Sequence, residues 1–302
     1  MPKDGTLLSK VEVQIDKKLL DFWKSKDIAP QEIKLMQERA EKVHLYKISY
    51  QSNGHRVNGF LCEPRNGKGK LPCIIWNRGG SGEFGAITMG MAVNRLAPMA
   101  DWGYVVIATQ YSGNAGSEGK DDFSGDVTVN DVLNLKTALG QVKRADASRI
   151  GMYGGSRGGS TIYRCLAKVK WIKAAVSVAG GSNLESMIKF RKDMKERIKE
   201  FGVKTKADRI KRSAVYWPEK FCKKSPLLMM HGSADWRVPL NDSLDLSRLL
   251  YEHKVPHRLV VFEGADHGIN EFRKERNMMT RDWFDRYVKN GEKLPNLKPH
   301  GD

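Results

Sequence analysis

From Leu71 onward the chain alternates short, unbroken apolar runs with helix-compatible stretches, and that rhythm restricts the fold more than any other feature. The runs fall at Pro72–Trp76, Tyr104–Thr109, Ile150–Tyr153, Ala174–Val178, Leu227–Met230 and Leu259–Phe262. A strand covered on both faces has no polar side to present, so it reads as continuous apolar sequence. Helical stretches at 89–101, 126–143 and 242–253 lie between such runs and supply the cover. This alternation predicts an α/β fold, a mostly parallel sheet with helices on both faces.

Upstream the pattern differs. Val43–Tyr50 and His55–Cys62 alternate apolar with polar residues around Gln51-Ser52-Asn53-Gly54, and Asn-Gly between such runs predicts a tight antiparallel hairpin. Residues 1 to about 42 read as polar and helical, with Pro30 dividing two helices whose buried faces are expected from Leu19, Leu20, Phe22 and Trp23 and from Ile33 and Met36. Residues 183–224 interrupt the later alternation and carry 14 Lys and Arg against 6 Asp and Glu. Within them Leu184, Met187, Ile188, Met194, Ile198 and Phe201 recur near helical spacing, which predicts an amphipathic helix, either a cap over a site or solvated surface. The expected division is a helical extension with the first strand at 1–50, then a main domain at 51–302 holding the 183–224 insertion.

Composition excludes several classes. No apolar run reaches the roughly 18 residues a membrane span needs, and Met1-Pro2-Lys3-Asp4-Gly5 leads into no apolar signal core. Cys62, Cys73, Cys165 and Cys222 are widely spaced with no C-x-x-C pair. They read as buried hydrophobes rather than a disulfide frame or metal site, and a cytoplasmic location is expected. The net charge of +17 would suit an anionic partner. Its basic residues are mostly interspersed with acids and no nucleic-acid signature is present, so neither nucleic acid nor membrane is an expected partner. Self-association is left open, and no cofactor or metal is expected.

The chemistry concentrates at Met152–Ser160, where Gly154, Ser156 and Gly158 spell Gly-x-Ser-x-Gly between an apolar run and a helical stretch. A strand, a sharp turn carrying one serine and a helix are the parts of a nucleophile elbow. Glycines two before and two after the serine remove side chains that would collide in the turn. A hydroxyl is a weak nucleophile at neutral pH and needs a base. Of seven histidines, His267 is best placed, in the short loop Glu263–Gly268 after the last predicted strand. His231 ends the preceding strand, and its loop holds Asp235, the carboxylate expected to orient the imidazole. Asp266 would point away along the backbone, and Asp242 starts or lines the next helix. The order Ser156, Asp235, His267 is that of α/β-hydrolases. The amide of Arg157 and the loop Asn77-Arg78-Gly79-Gly80-Ser81-Gly82 are expected to face a developing oxyanion. No Gly-Lys-Ser/Thr follows those glycines, against a phosphate loop.

These motifs together resemble the catalytic domain of the prolyl oligopeptidase family, within the α/β-hydrolases. The match runs over roughly residues 55–290. It rests on Asn77-Arg78-Gly79-Gly80, Gln110–Asn114 with Gly116–Gly119, Arg149–Gly151, the Ser156 elbow, Ser225-Pro226, His231–Pro239 and Asp266-His267-Gly268. The resemblance implies nucleophile, acid and base roles for Ser156, Asp235 and His267. It also implies a serine hydrolase cleaving esters or amides through an acyl-enzyme. Larger members carry a β-propeller before this domain; here only about 50 residues precede it, so exopeptidase specificity does not follow. Many members have His-Gly-Gly-Pro where this chain has Arg78-Gly79-Gly80-Ser81, and relatives often have arginine where it has Ser112. Arg78 thus either donates to an oxyanion or supports the loop, and Tyr111 and Trp236 are the expected substrate contacts. The expected substrate is a small ester or short peptide. A carboxylesterase is the alternative, and a non-catalytic hydrolase-like protein gripping an anionic partner is the rival of another class.

Overall fold

The computed structural model describes residues 2–26 and 28–301. Nine strands form one sheet: β1 (Leu7–Glu12), β2 (Val43–Ser52), β3 (His55–Pro64), β4 (Leu71–Asn77), β5 (Val105–Thr109), β6 (Ala145–Gly155), β7 (Ile172–Val178), β8 (Leu227–Gly232) and β9 (His257–Phe262). Their order is β1-β2-β3-β5-β4-β6-β7-β8-β9. β1, β2 and β3 pair antiparallel, β3 meets β5 antiparallel, and all later pairs are parallel. The alternation predicted the mostly parallel sheet with helical cover, and the strand order makes it the α/β-hydrolase fold that the motifs implied.

The strands divide their residues between two cores. Cys73 and Ile75 of β4 and Val105 and Ile107 of β5 face one core, with helices Asp126–Gly140, Arg157–Lys168 and Leu240–Glu252. Ile74, Trp76, Val106 and Ala108 face the other, with Pro30–Glu41 and Arg273–Phe284. Successive side chains on a strand point to opposite faces, so apolar runs satisfy both cores at once. The expected hairpin forms, with Asn53 and Gly54 both at positive φ (52° and 76°) as a tight two-residue turn requires. All four cysteines are buried and free. Burial pushes the Cys73 and Cys165 thiols up to about 12.

Two readings need correction. Residues 7–12, taken as part of a helical extension, form β1, an edge strand almost wholly exposed beyond Leu7. Residues 184–201 do not form one helix. The insertion breaks into Leu184–Phe190, Met194–Lys199 and Lys206–Lys211. Arg191 is extended (φ −126°, ψ 106°), Gly202 turns at φ 80°, and a Thr205–Asp208 capping box starts the third helix. Leu184, Met187, Met194, Ile198 and Val203 still pool their apolar faces, with Val238, in a small third core. No described helix is long and apolar enough to cross a membrane.

Candidate active site

Ser156, Asp235 and His267 all lie on loops leaving the C-terminal edge of the parallel sheet, after β6, β8 and β9. Between β6, which ends at Gly155, and the helix starting at Arg157, Ser156 alone makes the turn, at φ 55° and ψ −125°. A non-glycine residue held at positive φ is strained and persists only where its surroundings fix it. Here its N–H donates to the Val178 carbonyl at 2.8 Å. The flanking glycines are required by close approach. A Cβ on Gly154 would stand 2.5 Å from the Gly158 carbonyl carbon, and one on Gly158 2.2 Å from the Asn77 carbonyl oxygen.

His267 Nδ1–H donates to Asp235 Oδ2 at 2.7 Å. A carboxylate only accepts, so that contact places the proton on Nδ1 and leaves Nε2 as an acceptor. Asp235 Oδ1 accepts from the backbone N–H groups of Arg237 (2.7 Å) and Val238 (3.0 Å). A further partner escaped sequence reasoning: buried His231 points Nε2 at Asp235 Oδ2, 3.1 Å away, and at the Val238 carbonyl, also 3.1 Å. Its Nδ1 meets Ser243 Oγ at 2.7 Å. Burial alone would raise the Asp235 carboxyl, but hydrogen bonds from His231 and His267 hold it well below the usual carboxylate range. Asp266 accepts from Gly268 and Asn270 of its own loop, and Asp242 from the amides of Ser182 and Asn183. Among the described residues no hydrogen bond joins Ser156 to His267. In free enzymes such bonds are commonly long and tighten only on the substrate complex.

The expected oxyanion loop packs on the elbow: a Cβ on Gly79 would come within 3.3 Å of Ser156 Cβ. Two guanidinium groups hold it. Arg78 is fully buried and donates to the carbonyls of Gln110 (3.1 Å), Gly82 (2.7 Å) and Phe84 (2.9 Å). Its donors are therefore engaged on the loop, the second of the two roles expected of it. Arg157 pairs in the interior with Asp121 (2.7 Å to Oδ2) and donates to the Gly80 carbonyl at 3.1 Å. Burial works to raise the Asp121 carboxyl, but Arg157 keeps it low. The expectation for Tyr111 is corrected. It is fully buried, its hydroxyl donates to the Arg78 carbonyl at 3.0 Å, and both guanidinium groups lie near its ring, so it supports the loop and is not among the residues that line the pocket beside Ser156. Trp236 is exposed, with Arg237 stacked 4.4 Å from its ring centroid.

The Tyr111 turn is anchored by Asp131, a wholly buried carboxylate accepting from Ser52 Oγ (2.7 Å), Asn53 Nδ2 (2.9 Å) and Ser112 N–H (2.7 Å). Burial outweighs these bonds and pushes its carboxyl up to about 6. The folded chain thus keeps a proton that the unfolded chain releases near pH ~4. The contribution of this group to stability therefore falls as pH rises from about 4 to about 6. Unfolding free energies of wild type and Asp131→Asn, followed by denaturant titration, should differ by an amount that changes on the order of 2 kcal/mol across that window. A constant difference would show that Asp131 does not titrate there.

Ser156 opens into a pocket that communicates with solvent. Its walls come from Gly80, Ser81 and Phe84 of the loop, from Phe123, from Leu184, Met187, Arg191, Met194 and Arg197 of the insertion, and from Arg237 and Val238 beyond β8. The insertion is therefore a wall of this pocket.

Strand order, elbow and the three loops define an α/β-hydrolase of the serine-nucleophile architecture. The model of the prolyl oligopeptidase family matches residues 90–291, and the chain belongs to that family. It is 31% identical to the uncharacterized peptidase YtmA of Bacillus subtilis over 71% of this chain and 83% of that protein. It is 25% identical to the acylamino-acid-releasing enzyme of Sus scrofa over 80% of this chain, which is 34% of the enzyme. The chain thus spans about a third of that larger relative. The acylaminoacyl peptidase of Pyrococcus horikoshii superposes with a TM-score of 0.72 at 23% identity, covering 87% of this chain and 45% of that one. The protein is a hydrolase of the serine-peptidase type.

Proposed function

We propose that the chain hydrolyses short acylated peptides or small esters through an acyl-enzyme, with Ser156 as nucleophile, His267 as general base and Asp235 as the orienting acid. The observation that carries this reading is Ser156 itself, a hydroxyl held at φ 55° on the wall of a pocket. Strain at such a position is retained where it serves a site. In the attack, Ser156 Oγ bonds to the scissile carbonyl carbon and its proton passes to His267 Nε2, while Asp235 stabilises the imidazolium. The amides of Gly80 and Arg157 receive the oxyanion, and neither donates to an acceptor among the described residues. Collapse expels the leaving amine or alcohol with the proton from His267, and water then repeats the sequence to release the acid. Membership of a peptidase family favours amide substrates, and the shared machinery serves esters equally.

The test is covalent labelling with a fluorophosphonate probe, then turnover of a panel of matched N-acyl amino-acid anilides and esters. Labelling at Ser156 with turnover of the anilides is expected. Turnover of esters alone would make the protein a carboxylesterase. Absence of both labelling and turnover would sink the enzyme reading.

A further inference from the structure

Among the described residues, the pocket beside Ser156 is lined by five arginines and by no Asp or Glu. Most of those arginines are engaged. Arg157 pairs with Asp121, Arg191 with Asp193, and Arg212 donates to backbone carbonyls of Asp122 and Asp208. Arg197 and Arg237 differ: neither has a carboxylate partner among the described residues. Among the described residues, the Arg197 side chain donates only to Ser81 Oγ, at 3.1 Å, and Arg237 rests on the ring of Trp236. Both approach the ring of Phe84 from separate elements, with guanidinium carbons 5.9 Å and 5.5 Å from its centroid. Both are half-buried, and Phe84 is exposed. Stacking on aromatic faces leaves in-plane guanidinium N–H groups available, and their fork geometry matches a carboxylate. Met187 and Met194 line the same pocket with apolar surface.

From this arrangement we infer an anion subsite: Arg197 and Arg237 hold a free carboxylate of the substrate beside Ser156, while the apolar wall takes a neighbouring side chain. The substrate class is therefore a short peptide, or its ester analogue, that carries a free carboxylate next to an apolar group. This deepens the hydrolase reading and rests on it. The two cations come from the insertion and from the loop after β8, so substrate charge also bridges the insertion to the loop that carries Asp235.

The test is binding, which does not require turnover. The Ser156→Ala protein is titrated calorimetrically with N-acetyl-Ala-Phe and with its C-terminal amide. The acid is expected to bind about tenfold or more tightly than the amide, the gain typical of charge-assisted hydrogen bonds. Arg197→Gln and Arg237→Gln, each added to Ser156→Ala, should each shrink that ratio. Lys195→Gln, an exposed residue of the same helix away from the pocket, should leave it unchanged. Without any arginine substitution, the ratio should fall as ionic strength rises. Equal binding of acid and amide overturns the subsite, as does a preference that survives in both arginine variants, since the carboxylate would then be held elsewhere. Failure of fluorophosphonate labelling with the preference intact would instead overturn only the hydrolase reading.

Discussion

Replacing Ser156 by alanine is expected to abolish fluorophosphonate labelling and to lower kcat on the best panel substrate on the order of 10⁶-fold, the scale on which serine hydrolases lose rate without the nucleophile. The fold should survive. Ser156 Oγ makes no hydrogen bond among the described residues, and the turn is held by the Ser156 N–H on Val178 and by the flanking glycines. Alanine carries the same Cβ at the same positive φ, so strain is conserved and stability should shift by no more than about 0.5 kcal/mol. Circular dichroism and the thermal midpoint check that half of the expectation. A variant that stays folded and retains wild-type turnover would move the chemistry to another residue. His267→Ala, made alongside, should lose a comparable amount because the two groups act as a unit.

The parts of the fold legible from sequence were those whose physics is local or repeated. Six apolar runs became six parallel strands, and those inside the sheet, such as β4 and β5, are apolar almost throughout because they satisfy two cores at once. Asn53-Gly54 marked the hairpin because two consecutive positive φ values select those residues. The unread parts lack such signatures. β1 is an exposed edge whose residues face solvent, so no alternation is written into Leu7–Glu12. The insertion kept helical spacing in its apolar residues while the backbone broke, because the helices Leu184–Phe190 and Met194–Lys199, with Val203 after them, can pool one apolar face as well as one long helix can.

The candidate site divides the same way. The three residues proposed as the triad, Ser156, Asp235 and His267, stand out in the sequence because each sits in a short glycine-containing loop after an apolar strand. What the side chains of Arg78, Arg157 and Tyr111 touch is not legible in the sequence, because motif position says nothing about where a long side chain ends. Arg78 turns inward to three carbonyls, and Arg157 reaches Asp121, 36 positions earlier in the chain. The role of Asp121 depends on that long-range pairing, which no spacing encodes. His231 was passed over as a base, yet an imidazole at the end of β8 is close enough to Asp235 to brace it.

That brace gives Asp235→Asn a determinate outcome. Asparagine must choose which site receives its amide nitrogen. The Oδ1 position accepts two backbone N–H groups, from Arg237 and Val238. An NH₂ there would face two donors, so the amide oxygen takes that position and the NH₂ falls where Oδ2 was. There it meets His267 Nδ1 and His231 Nε2. His231 keeps its proton on Nε2 because the Val238 carbonyl still accepts it. His267 has no such alternative and must accept from the amide, which moves its proton to Nε2, the nitrogen that has to receive the serine proton. A wrong tautomer of this kind costs about 10⁴-fold in kcat in serine proteases. The same loss is expected here, with nearly unchanged KM, because Asp235 does not line the pocket. Imidazole nitrogen-15 shifts of the variant should report an Nε2–H tautomer at His267 and an unchanged one at His231. Activity within tenfold of wild type in a folded Asp235→Asn protein would remove Asp235 from the mechanism, and an Nδ1–H tautomer at His267 would show that the backbone amides do not dictate the orientation of the asparagine.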